Sequence, residues 1–241
     1  RTYADLHIRL FPYVFTYALR AGDTGEPIQR AFGLVHPDDG RHPHEQYFFG
    51  EHLFVAPVEQ EARTKTVELP PGTWVDWWDD RVLEGPATLV EDAPLDKLPL
   101  YARAGSVIPL LGSGVQTLSD NLELDPKAMA PTDLMLRPRV YTGGEGTFTM
   151  YDGGEITVKA GPAGISFAPG SIFQRAELEI VLVGLPPSPI VSGVTLTPAE
   201  GAPIPLDNAE GATQPDCPGG CWWRSPGDGH LWVFPPADGG Y

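Results

Sequence analysis

The sequence predicts a mainly β chain: two consecutive antiparallel β-sandwich units, divided near residue 111, behind one N-terminal helix. Three observations carry this. The 28 glycines and 27 prolines among 241 residues punctuate the chain too often for long helices, since proline is excluded from helix interiors and central strands. Short apolar runs recur between turn signals along most of the length, the pattern of a sandwich. Only residues 1–22 show a convincing helical period.

In that helix Leu6, Leu10, Tyr13, Val14 and Tyr17 share one face, with Ile8, Phe11, Phe15 and Leu19 beside them. So broad an apolar stripe expects more than one neighbour. Left without them, those side chains predict an exposed patch, self-association, and better solubility for a chain beginning near Glu26. Pro12 predicts a kink or a late start near Phe11, and Gly22 and Gly25 an end. From Glu26 the pattern turns to strands: PIQRAFGLV, YFFGEHLFVAPV and TKTVEL, where Thr64, Thr66 and Glu68 alternate with Lys65, Val67 and Leu69. PLYARAGSVIPLL closes this first unit near Leu111. The second unit, 112–241, opens with a polar, turn-rich interval over 112–133 that reads as a loop or linker. LMLRPRVYT, GTFTMYD, EITVKA, ISFAPG, AELEIVLVGL, GVTLTP and HLWVFP then supply its strands. No repeat of fixed period is present.

The stretch LPPGTWVDWWDD holds Trp74, Trp77 and Trp78 within five positions. Aromatics of this size anchor cores, and a Trp row can also stack on sugar rings, so both readings stand at this point. Around it run LHIRLFPYVFTYA, GEPIQRAF, YFFGEHLFVAPV, LPPGTWVDWW and APLDKLPLYARAGSVIP, in that order between Leu6 and Pro109. In these five blocks the chain resembles the C-terminal part of glycoside hydrolase family 31, the α-glucosidase and α-xylosidase family. GTFTMYDGGE is a weaker match to the family's last domain.

The resemblance implies three parts. Residues 1–25 would be the terminal helix of a truncated catalytic (β/α)8 barrel, 26–111 a proximal C-terminal β-sandwich, and 112–241 a distal one. Two carboxylates flank the bond that a glycosidase cleaves. Asp76, Asp79, Asp80, Asp92 and Asp96 lie near the Trp cluster, but both family aspartates belong to barrel strands upstream, so no catalytic residue carries over. Arg30 and Arg103 match family positions and read as structural clamps on carboxylates or carbonyls. The implied role is a non-catalytic scaffold, with the upstream barrel of the same parent chain as its partner. The alternative is a free-standing carbohydrate-binding or interaction module that uses Trp74, Trp77 and Trp78.

A net charge of −16 argues against nucleic acid, whose phosphates call for a basic face, and against anionic membrane surfaces. No apolar run approaches a bilayer span. The chain opens on Arg1, inside an amphipathic pattern, as a fragment would. His36, Asp38, Asp39, His42 and His44 could gather a metal, but their proline-punctuated loop reads as solvated. Asp120, Asn121, Glu123 and Asp125 lack the spacing and central glycine of a calcium loop. Gly143-Gly144-Glu145-Gly146 precedes a strand rather than a helix, so it reads as a hairpin turn, not a phosphate cradle. Nothing here points to a cofactor. In CPGGC the only cysteines, Cys217 and Cys221, are close enough for a disulfide, although free thiols or a metal half-site are alternatives. A disulfide would favour an exported protein.

Overall fold

The computed structural model describes residues 2–60, 62–94, 96–112, 115, 135–159, 164–173, 175–183, 194–196, 204–209, 217 and 219–235. The N-terminal helix is two pieces, α1 (Thr2–Arg9) and α2 (Phe11–Thr24). The break is at Leu10, with Pro12 inside the first turn of α2, where a missing N–H costs nothing. Gly25 closes α2 at φ 77°, its N–H donating to Ala21 O, as a left-handed glycine cap does. Tyr13, Thr16 and Tyr17 fall one helical turn apart on a single face and are buried.

The first sheet contains β1 (Gln29–Ala31), β2 (Tyr47–Phe49), β3 (Leu53–Val55), β4 (Thr64–Asp76), β5 (Val82–Asp92) and β6 (Leu100–Arg103). Its order is β1-β2-β3-β6-β4-β5, and every pair is antiparallel. The expected run PIQRAFGLV is strand only over β1; Phe32–Val35 form the single helical turn α3. A short apolar run does not separate the two states by periodicity, and Phe32 is buried against Phe48 and Phe54. In β4 the Lys65, Val67 and Leu69 side is buried. The β4–β5 register shifts between Leu69 and Gly72, where Pro70 and Pro71 have no N–H to give the ladder.

The remaining strands are β7 (Val107–Ile108), β8 (Arg139–Tyr141), β9 (Gly146–Thr149), β10 (Glu155–Lys159), β11 (Gly164–Ala168), β12 (Leu178–Val181), β13 (Val194–Leu196), β14 (Ile204–Asn208), β15 (Cys221–Arg224) and β16 (Leu231–Phe234). β11-β10-β9 is a three-stranded antiparallel sheet, and β13-β14-β15-β16-β12-β8-β7 is a second large sheet. β8–β12 and β14–β15 are parallel, so this sheet is mixed rather than wholly antiparallel. Parallel neighbours need a long connection, and β9–β11 supply one between β8 and β12.

The first sheet has two buried faces. Phe48, Phe54, Trp74 and Tyr101 pack with Phe32, Val67 and Leu69 on one side. Leu53, Val55, Val75 and Ala102 on the other join a larger core with Leu10, Tyr13 and Tyr17 of the helix and with Val140, Phe148 and Ile180 beyond residue 111. That core corrects the exposed-helix expectation. Leu10 is buried and Leu6, Ile8, Phe11 and Val14 are half-buried; of the apolar residues expected in water, Phe15 and Leu19 are the large exposed ones, at 38% and 48%. β7, from the end of the first predicted unit, pairs with β8 in the second large sheet. Among the described residues no helix is long and apolar enough to cross a membrane.

Candidate functional site

Trp74 and Trp77 do not form a sugar platform. The alternation of β4 sends Trp74 into the aromatic face, 5.8 Å from Phe54 and 6.1 Å from Phe48, with its Nε1–H donating to Pro70 O. Past the strand end Trp77 joins the other core, and the Arg139 guanidinium lies 4.8 Å over its ring. The two indoles belong to different cores, so they make no row, and both are buried. Trp78 is half-buried; Tyr3 packs edge-on at 5.5 Å, and its Nε1–H donates to Leu98 O at 2.7 Å.

The nearby carboxylates divide into buried and exposed. Asp76 is buried. Its Oδ1 accepts the Trp78 N–H at 2.8 Å, and its Oδ2 lies 3.5 Å from Arg81 and 3.8 Å from Lys97. Burial raises its pKa, opposed by the Trp78 N–H. Asp79, Asp92 and Asp96 are exposed. Asp80, at φ 57°, turns its side chain to His230, with Oδ2 and Nε2 2.6 Å apart.

Around His230 stands a cluster that the sequence reading did not single out. His230 Nδ1 is 2.8 Å from Glu179 Oε1, Glu179 is 3.2 Å from Arg139 Nε, and Arg139 Nη1 donates to Trp77 O at 3.0 Å. Burial alone would lower the His230 pKa, but the hydrogen bonds with Asp80 and Glu179 outweigh it and push it up to about 9. Burial likewise disfavours the Glu179 carboxylate, yet His230 and Arg139 hold its pKa below the usual value. The signal was available: Arg139 and Glu179 interrupt apolar strands, and a charge placed there needs a buried partner. Each charge in the cluster serves another, which makes it a clamp between the β4–β5 turn and the second large sheet.

Elsewhere the candidate ligands are committed or apart. His36 packs against Phe32 and Phe48, and Asp39 pairs with Arg41. Among the described residues no three His, Cys, Asp or Glu gather as a metal site. Asp120, Asn121, Glu123 and Asp125 lie outside the described residues. Residues 143–145 are a turn leading into β9. Arg30 is a clamp: buried, it reaches Glu26 at 3.1 Å, Glu51 at 3.8 Å and Pro27 O. Arg103 is not; it is exposed, and no carboxylate among the described residues pairs with it. Cys217 and Cys221 are joined by a disulfide, with Cα atoms 5.7 Å apart.

Residues 25–108 match the C-terminal domain of glycosyl hydrolase family 31. An α-xylosidase from Saccharolobus solfataricus is 33% identical over 159 residues, which is 64% of this chain and 20% of that protein. An isomaltosyltransferase from Sporosarcina globispora is 36% identical over 111 residues, 45% of this chain and 10% of its own length. A family 31 dextranase from Flavobacterium johnsoniae superposes with a TM-score of 0.73 at 25% identity, covering 97% of this chain and 30% of that one. A family 31 α-xylosidase from Xanthomonas citri gives 0.59 at 25% identity, over 83% and 23%. The chain thus spans a fifth or less of these two curated relatives. With five ordered sequence blocks, a domain over residues 25–108 that matches the family 31 C-terminal domain, and a shared architecture, this chain is similar to the C-terminal portion of glycoside hydrolase family 31 enzymes.

Proposed function

We propose that the chain is the non-catalytic scaffold of a family 31 enzyme that hydrolyses α-linked O-glycosyl bonds, its partner being a catalytic barrel in the same parent chain. The observation that carries this is the pair of coverages: nearly all of this chain, but 30% of the dextranase, superposes. The proposed parts are 1–25 as the barrel's terminal helix, 26–111 as the proximal sandwich and 112–241 as the distal one. The match over 25–108 supports the first boundary. As a scaffold, the large core fastens the helix to both large sheets, and the Asp80–His230–Glu179–Arg139 clamp fixes one sheet against the other. Carbohydrate contact by this region, if any, would rest on Trp78 and not on the two buried indoles. The disulfide supports an exported parent, since such bonds persist in oxidising compartments.

The test is activity with and without the coding region upstream of Arg1. The 241-residue chain should release no p-nitrophenol from the α-glucoside or the α-xyloside, and the chain extended through a barrel should. Turnover by the chain alone that vanishes on changing one of its own aspartates would overturn the scaffold reading.

A further inference from the structure

We infer that the cleft between the β2–β3 turn and the 143–146 turn binds a small organic oxyanion, a carboxylate or a phosphate, with Arg103 as its charge partner. The cavity measures about 540 Å3, within the ~300–1,000 Å3 range of small-molecule sites. It lies where the first sheet meets the β8–β9 connection, walled by residues 50–52, 72–74, 103–106 and 143–146 with the end of α3. Backbone contact shapes it. Gly105 sits at φ 77°, and a Cβ there would lie 2.7 Å from Glu145 N. The β6–β7 turn and the 143–146 turn therefore touch without side chains between them, forming one continuous wall of the cleft.

Its polar lining favours negative charge. Glu51 is shared by Arg20 at 3.9 Å and Arg30 at 3.8 Å, so its charge is already compensated. Among the described residues Arg103 has no such partner. A guanidinium presents paired donors to a carboxylate or a phosphate. His52 is held neutral, its pKa lowered to about 4 by burial and then by Arg103, Arg20 and Arg30. The charges that lower it are all positive, in a chain of net charge −16. His36, also lowered mainly by burial, is neutral beside it, so both imidazoles offer a donor and an acceptor to hydroxyls. The distant carboxylates are screened beyond about 8 Å at physiological ionic strength, which leaves exposed Glu145 as the opposing charge in the wall.

The experiment follows the His36 and His52 ring signals of the full chain by NMR at pH 7. Sodium glucuronate, glucose 6-phosphate and D-glucose are titrated in separate arms, each against sodium chloride of matched ionic strength. At least one anion should saturate the His52 shift while glucose does not, and the tighter arm tells carboxylate from phosphate. Arg103→Gln should weaken binding at least tenfold, Arg103→Lys by only a few fold, and Glu145→Gln should tighten it two- to threefold. Thermal melts of the three variants show that the fold is intact. Shifts that chloride reproduces, glucose binding as tight as the anions, or unchanged affinity in Arg103→Gln would overturn the inference.

Discussion

His230 Nε2 lies 2.6 Å from Asp80 Oδ2, joining residues 150 positions apart. The imidazole also meets Glu179 at 2.8 Å, Asp228 at 3.5 Å and Arg139 at 3.3 Å. Burial opposes its charge, and Asp80 and Glu179 restore it, raising the pKa to about 9 from ~6.5 in an unfolded chain. A raised pKa stabilises the folded state fully below the unfolded value, and that stabilisation is lost as pH rises through the folded one. The window is therefore pH 6.5 to 9, and the full span is about 3 kcal/mol at ~1.4 kcal/mol per unit. Urea midpoints of the chain should fall across this window while those of His230→Gln stay flat. Parallel profiles would show that His230 titrates elsewhere.

Arg139 is the buried cation that this arrangement turns on. Arg139→Met removes the donor to Trp77 O and leaves Glu179 and Asp80 with His230 alone. Losing one member of a buried ion-pair network costs about 3–5 kcal/mol. Denaturant unfolding measures it, and a loss under about 1 kcal/mol would mean that the clamp contributes little to stability.

What could be read from sequence depended on the range of the physics. The β4 alternation, the Pro12 break and the Gly25 cap are set by neighbours within a few residues, and each was legible. The Trp74–Trp77–Trp78 stretch was legible as a cluster of core-sized aromatics, but not the sides its rings take, because Trp77 lies past the end of β4 at Asp76. Arg139 and Glu179 stand out as charges within apolar strands, but their partners are not legible locally; only the pairing of β8 with β12 and β12 with β16 brings them to His230. The helix was expected to lack a partner because its partners, Phe49 and Phe148, lie 36 and 135 positions from Tyr13.

Cys217–Cys221 closes a short loop, so its effect on the unfolded chain is small, about 2 kcal/mol in the chain-entropy model. Its place is local, within a cluster of Trp223, Trp232 and Phe234. Iodoacetamide without reductant should leave the intact mass unchanged, and after reduction it should add two groups. The double variant Cys217→Ser/Cys221→Ser should lose about 2 kcal/mol with the near-ultraviolet Trp signal altered. Two alkylatable thiols in the untreated protein would refute the bond.

Gly50 and α2 make the last prediction. Gly50 turns at φ 64°, and a Cβ there would lie 2.4 Å from both Tyr13 Oη and Tyr17 Cε2. Tyr13 Oη donates to Phe49 O at 2.6 Å, and Tyr17 Oη accepts the Glu51 N–H at 3.1 Å. Beside them on the same buried face, the Tyr151 N–H donates to Thr16 Oγ1. Leu10, Tyr13 and Tyr17 each stabilise the fold by roughly 1.5–3 kcal/mol if fully removed from water, so α2 is part of the core. Gly50→Ala should cost at least about 2 kcal/mol through overpacking and left-handed strain. A chain beginning at Glu26 should melt lower than the full chain and aggregate, because it uncovers Phe148 and Phe49. The exposed remainder of the stripe behaves oppositely: Phe15→Lys with Leu19→Lys should leave the melting temperature within a few degrees and reduce any self-association seen by light scattering. A chain trimmed to Glu26 that melts as high as the full one would show that the helix does not belong to this core.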